Sequence, residues 1–295
     1  MLKRLEIFLI AAMFILITAI ILIVYTMQRE QEFKDHQNII QQSSENGASY
    51  AISLQLLNKH RHVRLFLDEY APLFSRLTMF PIDEKTSGDI KFRLQQRFPD
   101  FFTYTIANQQ GIPTLSDMDS LVGDACQTDL KKFASIVQAT HDTSIQNKVF
   151  IHPQPFHYHF DIMAPLKANT DNSSLFFASF YVKEITDILK THEIPGQKLL
   201  LIKQSDKSLI EVSKEGARDQ LSRDTHLSSE EQNSIRVYKN ISNTDWRLIA
   251  LPDTDFEKRY LYNLWKEAFI IILIVTLALL LLVFVVIKYS GRKIS

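Results

Sequence analysis

Two long apolar runs without charge stand near the two ends of the chain. They read "IFLIAAMFILITAIILIVY" (Ile7 to Tyr25) and "AFIIILIVTLALLLLVFVVI" (Ala268 to Ile287). At a rise of about 1.5 Å per residue, each run is long enough for a hydrocarbon core of about 30 Å. The pattern predicts two transmembrane helices, residues 7–25 and 268–287. The stretch "TMQREQEF" after the first run lacks the small-x-small pattern of a signal-peptidase site, which favours a retained helix over a cleaved leader.

Basic residues flank both runs on their outer sides. They are Lys3, Arg4, Lys288, Arg292 and Lys293. The positive-inside rule therefore predicts that the tails, residues 1–6 and 288–295, are cytoplasmic and that residues 26–267 are extracytoplasmic. We expect a bacterial inner-membrane protein. The tail after Ile287 is too short to fold, so the output is expected from a fused domain or a separate cytoplasmic partner.

Helical spacing dominates the first part of the extracytoplasmic region. Between Met27 and Leu77, apolar residues recur at intervals of three, four and seven, which predicts a long helix or stalk over residues 26–79. The stretch "TMFPIDEKTSGD" then breaks the pattern, and "IKFRLQQRF" suits a short amphipathic helix.

Strand-like alternation begins after Pro99 and marks a membrane-distal module, residues 80–190. A β-hairpin is predicted from Phe101 to Ala107 and from Ile112 to Leu115, turning at Gly111, and "DACQTDLKKFASIVQATH" has helical periodicity. Three further strands are predicted at Lys148 to Ile151, Phe156 to Leu166 and Leu175 to Val182. The order of hairpin, helix and three strands is typical of a PAS-like module, an antiparallel sheet with helices on one face.

A smaller membrane-proximal module is predicted over residues 191–260. The helix "EITDILKTHE" leads to it, and its strands are "KLLLIKQS", "SLIEVSK", "SIRVYKNI" and "WRLIALPD". "DTDFEKRYLYNLWKE" then continues as a helix into the second apolar run. The predicted fold class is α+β, with PAS-like antiparallel sheets, a long N-terminal helix and two flanking transmembrane helices.

Composition excludes several classes of function. With 33 basic and 33 acidic residues, the chain has no basic field of the kind that nucleic-acid binding requires. The single cysteine, Cys126, excludes a disulfide framework and a cysteine-based zinc cluster, and a lone buried thiol is expected. No G-x-S-x-G, H-E-x-x-H, P-loop or Rossmann glycine motif is present, so we do not expect an enzyme.

Several segments together resemble the Cache sensor superfamily. They are "FFTYTIANQQGIP", "VGDACQTDLKKFA", "IHPQPFHYHFDIMAP", "FFASFYVKEITDIL" and "NTDWRLIALPDTDF". They are similar to the periplasmic input regions of bacterial diguanylate cyclases and sensor histidine kinases. The resemblance implies a PAS-like fold with a small-molecule pocket on the distal sheet.

The stretch "VFIHPQPFHYHFDIM" carries the candidate chemistry. If Phe156 to Leu166 is a strand, His157, His159 and Asp161 share one face, and the apolar residues between them share the other. Three interpretations remain open: a solvated face, a ligand pocket lined by hydrogen-bonding groups, and a zinc-type site. The first two are preferred, so no metal or cofactor is predicted.

The full candidate set adds four residues. They are Arg93 and Arg97, which could bind a carboxylate jointly or lie on a solvated helix face, together with Tyr104 and Tyr158. The resulting hypothesis is a membrane-anchored extracytoplasmic sensor, expected to be a homodimer, that binds a small molecule and signals to a cyclase, kinase or chemotaxis-type output. A scaffolding membrane protein is the alternative, and a periplasmic metal-binding protein is a weaker one.

Overall fold

The structure is a computed structural model that describes residues 2–115, 124–140, 150–152, 158–166, 174–235 and 238–291. Its helices are α1 (Leu2–Glu69), α2 (Ala71–Met79), α3 (Glu84–Arg97), α4 (Asp124–Thr140), α5 (Lys183–His192), α6 (Ser229–Ser234) and α7 (Thr254–Gly291). Its strands are β1 (Phe101–Ala107), β2 (Phe150–His152), β3 (His159–Pro165), β4 (Leu175–Tyr181), β5 (Gln197–Lys203), β6 (Ile210–Ser213), β7 (Gly216–Ala217), β8 (Lys239–Asn240) and β9 (Trp246–Pro252).

The chain divides into two compact units. One comprises Met1–Gln42 with Pro252–Ser295, and the other is Ser43–Leu251, which we call the globular domain. Helices α1 and α7 each contain a stretch long and apolar enough to cross a membrane, with a mean hydropathy of 3.3 and 3.7 in the most apolar 18-residue window. Both predicted membrane spans therefore lie within helices.

The first sheet, which we call the distal sheet after the module predicted for this part of the chain, has four antiparallel strands in the order β1-β4-β3-β2. Strands β1 and β4 are rich in β-branched and aromatic residues, and β1, β3 and β4 are buried along most of their length. The hairpin prediction is only partly right, because its second arm is reduced to a single bridge between Ala107 and Pro113. Residues 148 and 149 of the next predicted strand lie outside the described residues, and β2 covers Phe150–His152.

Gly111 occupies the turn after β1 for two reasons. Its φ is +73°, a left-handed conformation that residues with a Cβ rarely adopt. A Cβ built at this position would also lie 2.7 Å from the carbonyl oxygen of Leu130, so the turn packs directly against α4. The glycine therefore allows helix α4 to lie close to the distal sheet.

The proximal sheet has five strands in the order β7-β6-β5-β9-β8. The predicted strands "KLLLIKQS", "SLIEVSK" and "WRLIALPD" appear as β5, β6 and β9. Only Lys239–Asn240 of "SIRVYKNI" forms a strand, and residues 236 and 237 lie outside the described part of the chain. The connecting helix is α5, as predicted.

One hydrophobic core, which we call the shared core, lies between both sheets and the long helix. It includes Ile52 and Phe66 of α1, Phe160 of β3 and Leu248 of β9. Trp246 joins the sheets directly, since its indole nitrogen donates a hydrogen bond to the Tyr158 hydroxyl at 3.1 Å. The long helix, the two antiparallel sheets and the flanking apolar helices confirm the predicted fold class.

Each sheet has a second, outer face with its own cover. The outer face of the distal sheet packs against α4 through residues such as Met163, Phe177 and Phe133. The outer face of the proximal sheet packs as an all-aliphatic cluster of Leu200, Ile202, Ile210, Leu227, Ile249 and Leu251. The candidate chemistry lies on the outer face of the distal sheet.

Candidate functional site

Strand β3 directs alternate side chains to opposite faces of the distal sheet. Phe160 and Ile162 belong to the shared core, whereas Met163 belongs to the cluster under α4. His159 and Asp161 alternate with the core residues and therefore share the outer face with Met163. For these two residues the predicted alternation is confirmed.

The outer face of the distal sheet is closed to solvent. His159 is 1% exposed and Asp161 is 0% exposed, and helix α4 brings the fully buried Cys126 over them. The interpretation of this strand as a solvated face is therefore wrong. The reason is that a second helix covers the sheet on the side opposite to α1, which leaves no open face at this position.

Four buried side chains meet under α4, and we call them the polar cluster: Cys126, His159, Asp161 and Ser179. The Ser179 hydroxyl of the neighbouring strand donates to Asp161 Oδ1 at 2.6 Å. His159 Nε2 lies 3.7 Å from Asp161 Oδ1 and 3.7 Å from Cys126 Sγ. The strand register explains the arrangement, because Asp161 pairs with Ser179 across the β3–β4 ladder.

The surroundings of Cys126 determine how readily its thiol ionises. Burial, and then the negative charge of Asp161, raise the pKa of the Cys126 thiol well above its usual range. A catalytic cysteine beside a histidine has a lowered pKa, because the thiolate is the nucleophile. The Cys126–His159 pair therefore lacks the electrostatics of an activated nucleophile.

The rim of the polar cluster is aromatic. The Phe102 ring lies 5.4 Å from the His159 ring and 5.1 Å from the Tyr181 ring, measured between centroids. Phe102 lies at a register shift between Phe101 and Thr103 in β1, the kind of irregularity that redirects a side chain relative to its strand. A histidine, a carboxylate, a hydroxyl and a thiol thus lie in an otherwise apolar setting, where polar interactions are strong.

The two predicted tyrosines lie away from the polar cluster. Tyr104 is on the shared-core face of β1, where its hydroxyl lies 2.9 Å from the Ser87 hydroxyl. Tyr158 is also in the shared core, and burial, followed by the charge of Glu211, raises its pKa well above the usual range. His157 lies outside the described residues.

Helix α3 likewise does not contribute its arginines to the polar cluster. It packs Ile90 and Leu94 into the shared core, on the side of the distal sheet opposite to His159. Arg93 pairs with Asp89 in its own helix at 3.0 Å and lies over the Tyr70 ring, and Arg97 is exposed. The structure therefore places the two arginines, for which a joint carboxylate site and a solvated helix face were both open, away from the polar cluster.

Sequence reasoning missed Cys126 and Ser179 as parts of the site. Cys126 was interpreted as an isolated core thiol, and Ser179 stands in the apolar run "LFFASFY", where only its polarity distinguishes it. That single polar residue within a buried strand was the available signal, because a buried hydroxyl requires a hydrogen-bond partner.

Among solved structures, the chain is similar to sensor domains. The sensory domain of the Campylobacter jejuni chemoreceptor Tlp3 has 11% identity and a TM-score of 0.49, covering 78% of this chain and 98% of its own. The extracellular domain of the putative histidine kinase rpHK1S-Z16 has 10% identity and a TM-score of 0.46, covering 75% and 95%. The ligand-binding domain of the Pseudomonas aeruginosa PAO1 chemoreceptor PctB, solved with L-Gln, has 12% identity and a TM-score of 0.44, covering 76% and 92%.

These neighbours are extracellular, sensory and ligand-binding domains of histidine kinases and chemoreceptors. No family model and no curated protein matches the sequence. At TM-scores below 0.5, the structural similarity itself supports no statement about ligand or output, so the functional argument depends on the residues of this chain.

Proposed function

We propose that the chain is a membrane-anchored extracytoplasmic sensor whose globular domain binds a small ligand at the polar cluster and passes the signal through α1 and α7. The observation that carries the proposal is the buried polar cluster on the outer face of the distal sheet. Burying four polar side chains in an apolar setting costs stability unless they bind one another or a ligand. A sheet built only for stability would carry mainly apolar residues at these positions, as the proximal sheet does at Leu200, Ile202 and Ile249.

Transmission requires the ligand to distinguish two states of the domain. A ligand shifts a conformational equilibrium only by its difference in affinity for the two states, so a few kcal/mol of preference is needed for a clear response. Helix α1 is continuous from Leu2 to Glu69 and supplies residues such as Ile52 and Val63 to the shared core. The same helix also contains an apolar stretch able to span the membrane, which supports a role in transmission.

Membrane topology tests the architecture. We expect alkaline phosphatase fused after Lys207 to be active, because residues 26–267 are proposed to be extracytoplasmic. The same enzyme fused after Ser295 is expected to be inactive, and a cytoplasmic reporter such as β-galactosidase should show the reverse pattern. An active phosphatase fusion after Ser295 would contradict the proposed sensor. The C-terminal tail would then lie outside the cytoplasm together with the globular domain.

We further propose a homodimer formed along α1 of the globular domain. Four exposed apolar side chains, Tyr50, Leu54, Leu57 and Leu65, are spaced by three, four and eight residues and so form one stripe. The stripe lies opposite the buried residues of the same helix, such as Ile52 and Val63. Spacings of this kind are typical of helices that pair with a second copy.

A charge placed on the stripe tests the dimer. Leu54→Lys in the full chain should lower the dimer fraction measured by light scattering in detergent, because it buries an ammonium group in an apolar contact. Ile82→Lys is the matched control, since Ile82 is 90% exposed outside α1 and should leave the dimer intact. A dimer equally stable in both variants would place the interface elsewhere.

A further inference from the structure

We infer that Cys126, His159 and Asp161 form a binding site for one divalent transition-metal ion of the zinc type. The sequence alone suggested a metal only through His157, His159 and Asp161, and it did not favour that interpretation. The structure supplies a different third ligand, the thiol of Cys126, from a separate helix. The proposal names the ligand class of the polar cluster, and it depends on the proposed function only for its consequence in signalling.

The three ligand atoms are close enough to share one ion. Among the described residues, this is a group of metal-binding side chains whose donor atoms all lie within 4.8 Å of one another. Metal–ligand bonds of about 2.0–2.3 Å at tetrahedral angles would place neighbouring ligand atoms about 3.3–3.6 Å apart. The two distances from His159 Nε2, to Cys126 Sγ and to Asp161 Oδ1, are both 3.7 Å. The remaining separation, between Cys126 Sγ and the Asp161 carboxylate, is at most 4.8 Å, so movements of about 1 Å would complete the geometry.

The donor types favour zinc-like ions over calcium or magnesium. Sulfur and imidazole nitrogen are ligands that zinc and other first-row transition ions prefer, whereas calcium and magnesium take oxygen ligands. One sulfur, one nitrogen and one oxygen leave the fourth position of a tetrahedron for water or a small ligand. Such an incomplete set is typical of sites that exchange a ligand.

Charge balance also suits a buried site. On binding, the thiol of Cys126 would release its proton to solvent and bind as a thiolate, while His159 would bind in its neutral form. A doubly charged cation with one thiolate and one carboxylate then has no net charge. A neutral complex avoids the large cost of a net charge in an apolar interior.

The surrounding residues already orient the proposed ligands. The Ser179 hydroxyl donates to Asp161 Oδ1 at 2.6 Å and holds the carboxylate toward His159. Hydrogen bonds from neighbouring residues commonly orient metal ligands in this way, and their loss lowers affinity about 10–100-fold. His159 and Asp161 are two residues apart on one strand, so the sheet fixes their relative position without a flexible loop.

The test uses the full chain in detergent after removal of metal by a chelator. We expect it to bind one Zn²⁺ per chain in a competition titration against a chromophoric chelator, and to melt at a higher temperature with Zn²⁺ present. Cobalt(II) in place of zinc should produce tetrahedral visible bands and a thiolate-to-cobalt charge-transfer band. That band reports coordination by Cys126 directly, because the chain has no other cysteine.

Variants locate the ion. Cys126→Ser and Asp161→Asn should each lower Zn²⁺ affinity by about 100-fold or more, since loss of a direct ligand exceeds the loss of an orienting bond. His60→Gln is the matched control because His60 is another buried histidine, in α1 and outside the polar cluster, and it should bind as the wild type does. Cys126→Ala provides a second cysteine variant if the serine variant does not fold.

Each outcome decides the proposal. A wild-type chain without a stoichiometric ion, without the charge-transfer band, or with Zn²⁺ affinity unchanged in Asp161→Asn would overturn the metal site. The topology of the fusion proteins does not depend on zinc, so a correct topology without an ion would leave the sensor proposal standing. An ion bound by a chain whose C-terminal phosphatase fusion is active would support the metal site and reject the sensor.

Discussion

The outer faces of the two sheets are both covered, but their chemistry differs. Under α4, the distal sheet buries a thiol, an imidazole, a carboxylate and a hydroxyl beside apolar residues such as Phe177 and Met163. The corresponding face of the proximal sheet buries mainly an aliphatic cluster, with Ile202, Ile210 and Ile249 fully enclosed, and its buried polar side chains include the hydroxyl of Ser213 opposite Leu200. Equal burial therefore does not imply an equal role.

The difference follows from the cost of burying polar groups. Aliphatic side chains stabilise the fold by about 25 cal/mol for each Å² removed from water, with no requirement on orientation. Buried polar side chains add little net stability, and they destabilise the fold when a hydrogen-bond partner is lost. We therefore expect the proximal face to contribute more to the free energy of unfolding. The distal face is expected to contribute less stability and to provide the binding site.

Truncating the proximal face should produce the larger loss of stability. Ile249→Ala should lower the free energy of unfolding by about 2–5 kcal/mol, because the removed atoms leave a cavity in a closed aliphatic cluster. Denaturant unfolding of the metal-free full chain, followed by the fluorescence of the buried Trp246, measures it. Zn²⁺ affinity should not change.

Ile112→Ala is the matched control for this truncation. Ile112 is half-exposed, so the same substitution there should change stability by only about 0.5 kcal/mol or less. Equal losses in the two variants would mean that the proximal face does not carry the stability assigned to it.

Removing the carboxylate from the distal face should cost less stability but abolish binding. In metal-free protein, Asp161→Ala should lower the free energy of unfolding by about 1–3 kcal/mol, because the buried Ser179 hydroxyl loses its acceptor. A double-mutant cycle with Ser179→Ala in the same denaturant assay separates that hydrogen bond from the rest of the effect.

The exposed Asp219 provides the comparison for a solvated carboxylate, since Asp219→Ala should change stability by about 0.5 kcal/mol or less. If Asp161→Ala matched Asp219→Ala in stability, the distal face would be open to water in solution. If it cost more than Ile249→Ala, the polar cluster would be a structural network, and the division of roles between the two faces would be wrong.

Local pattern was sufficient to predict most of the helices and strands of this protein. The two apolar runs, the long helix, the fold class and the alternation that separates His159 and Asp161 from Phe160 all follow from spacing along the chain, since helix and strand periodicities are local properties. Boundaries were less accurate where a strand is short, as at Lys239–Asn240, because edge pairing depends on the neighbouring strand.

The composition of the candidate site was decided by tertiary structure. Cys126 lies 33 residues before His159, and only the packing of α4 on the outer face of the distal sheet brings their side chains together. The same packing buries a face that could have been solvated. Tyr104, Tyr158 and residues of helix α3 pack into the shared core instead, on the opposite side of the sheet. The sequence by itself determined which side chains of β3 point the same way. What covers them depends on contacts between distant segments, which no local periodicity encodes.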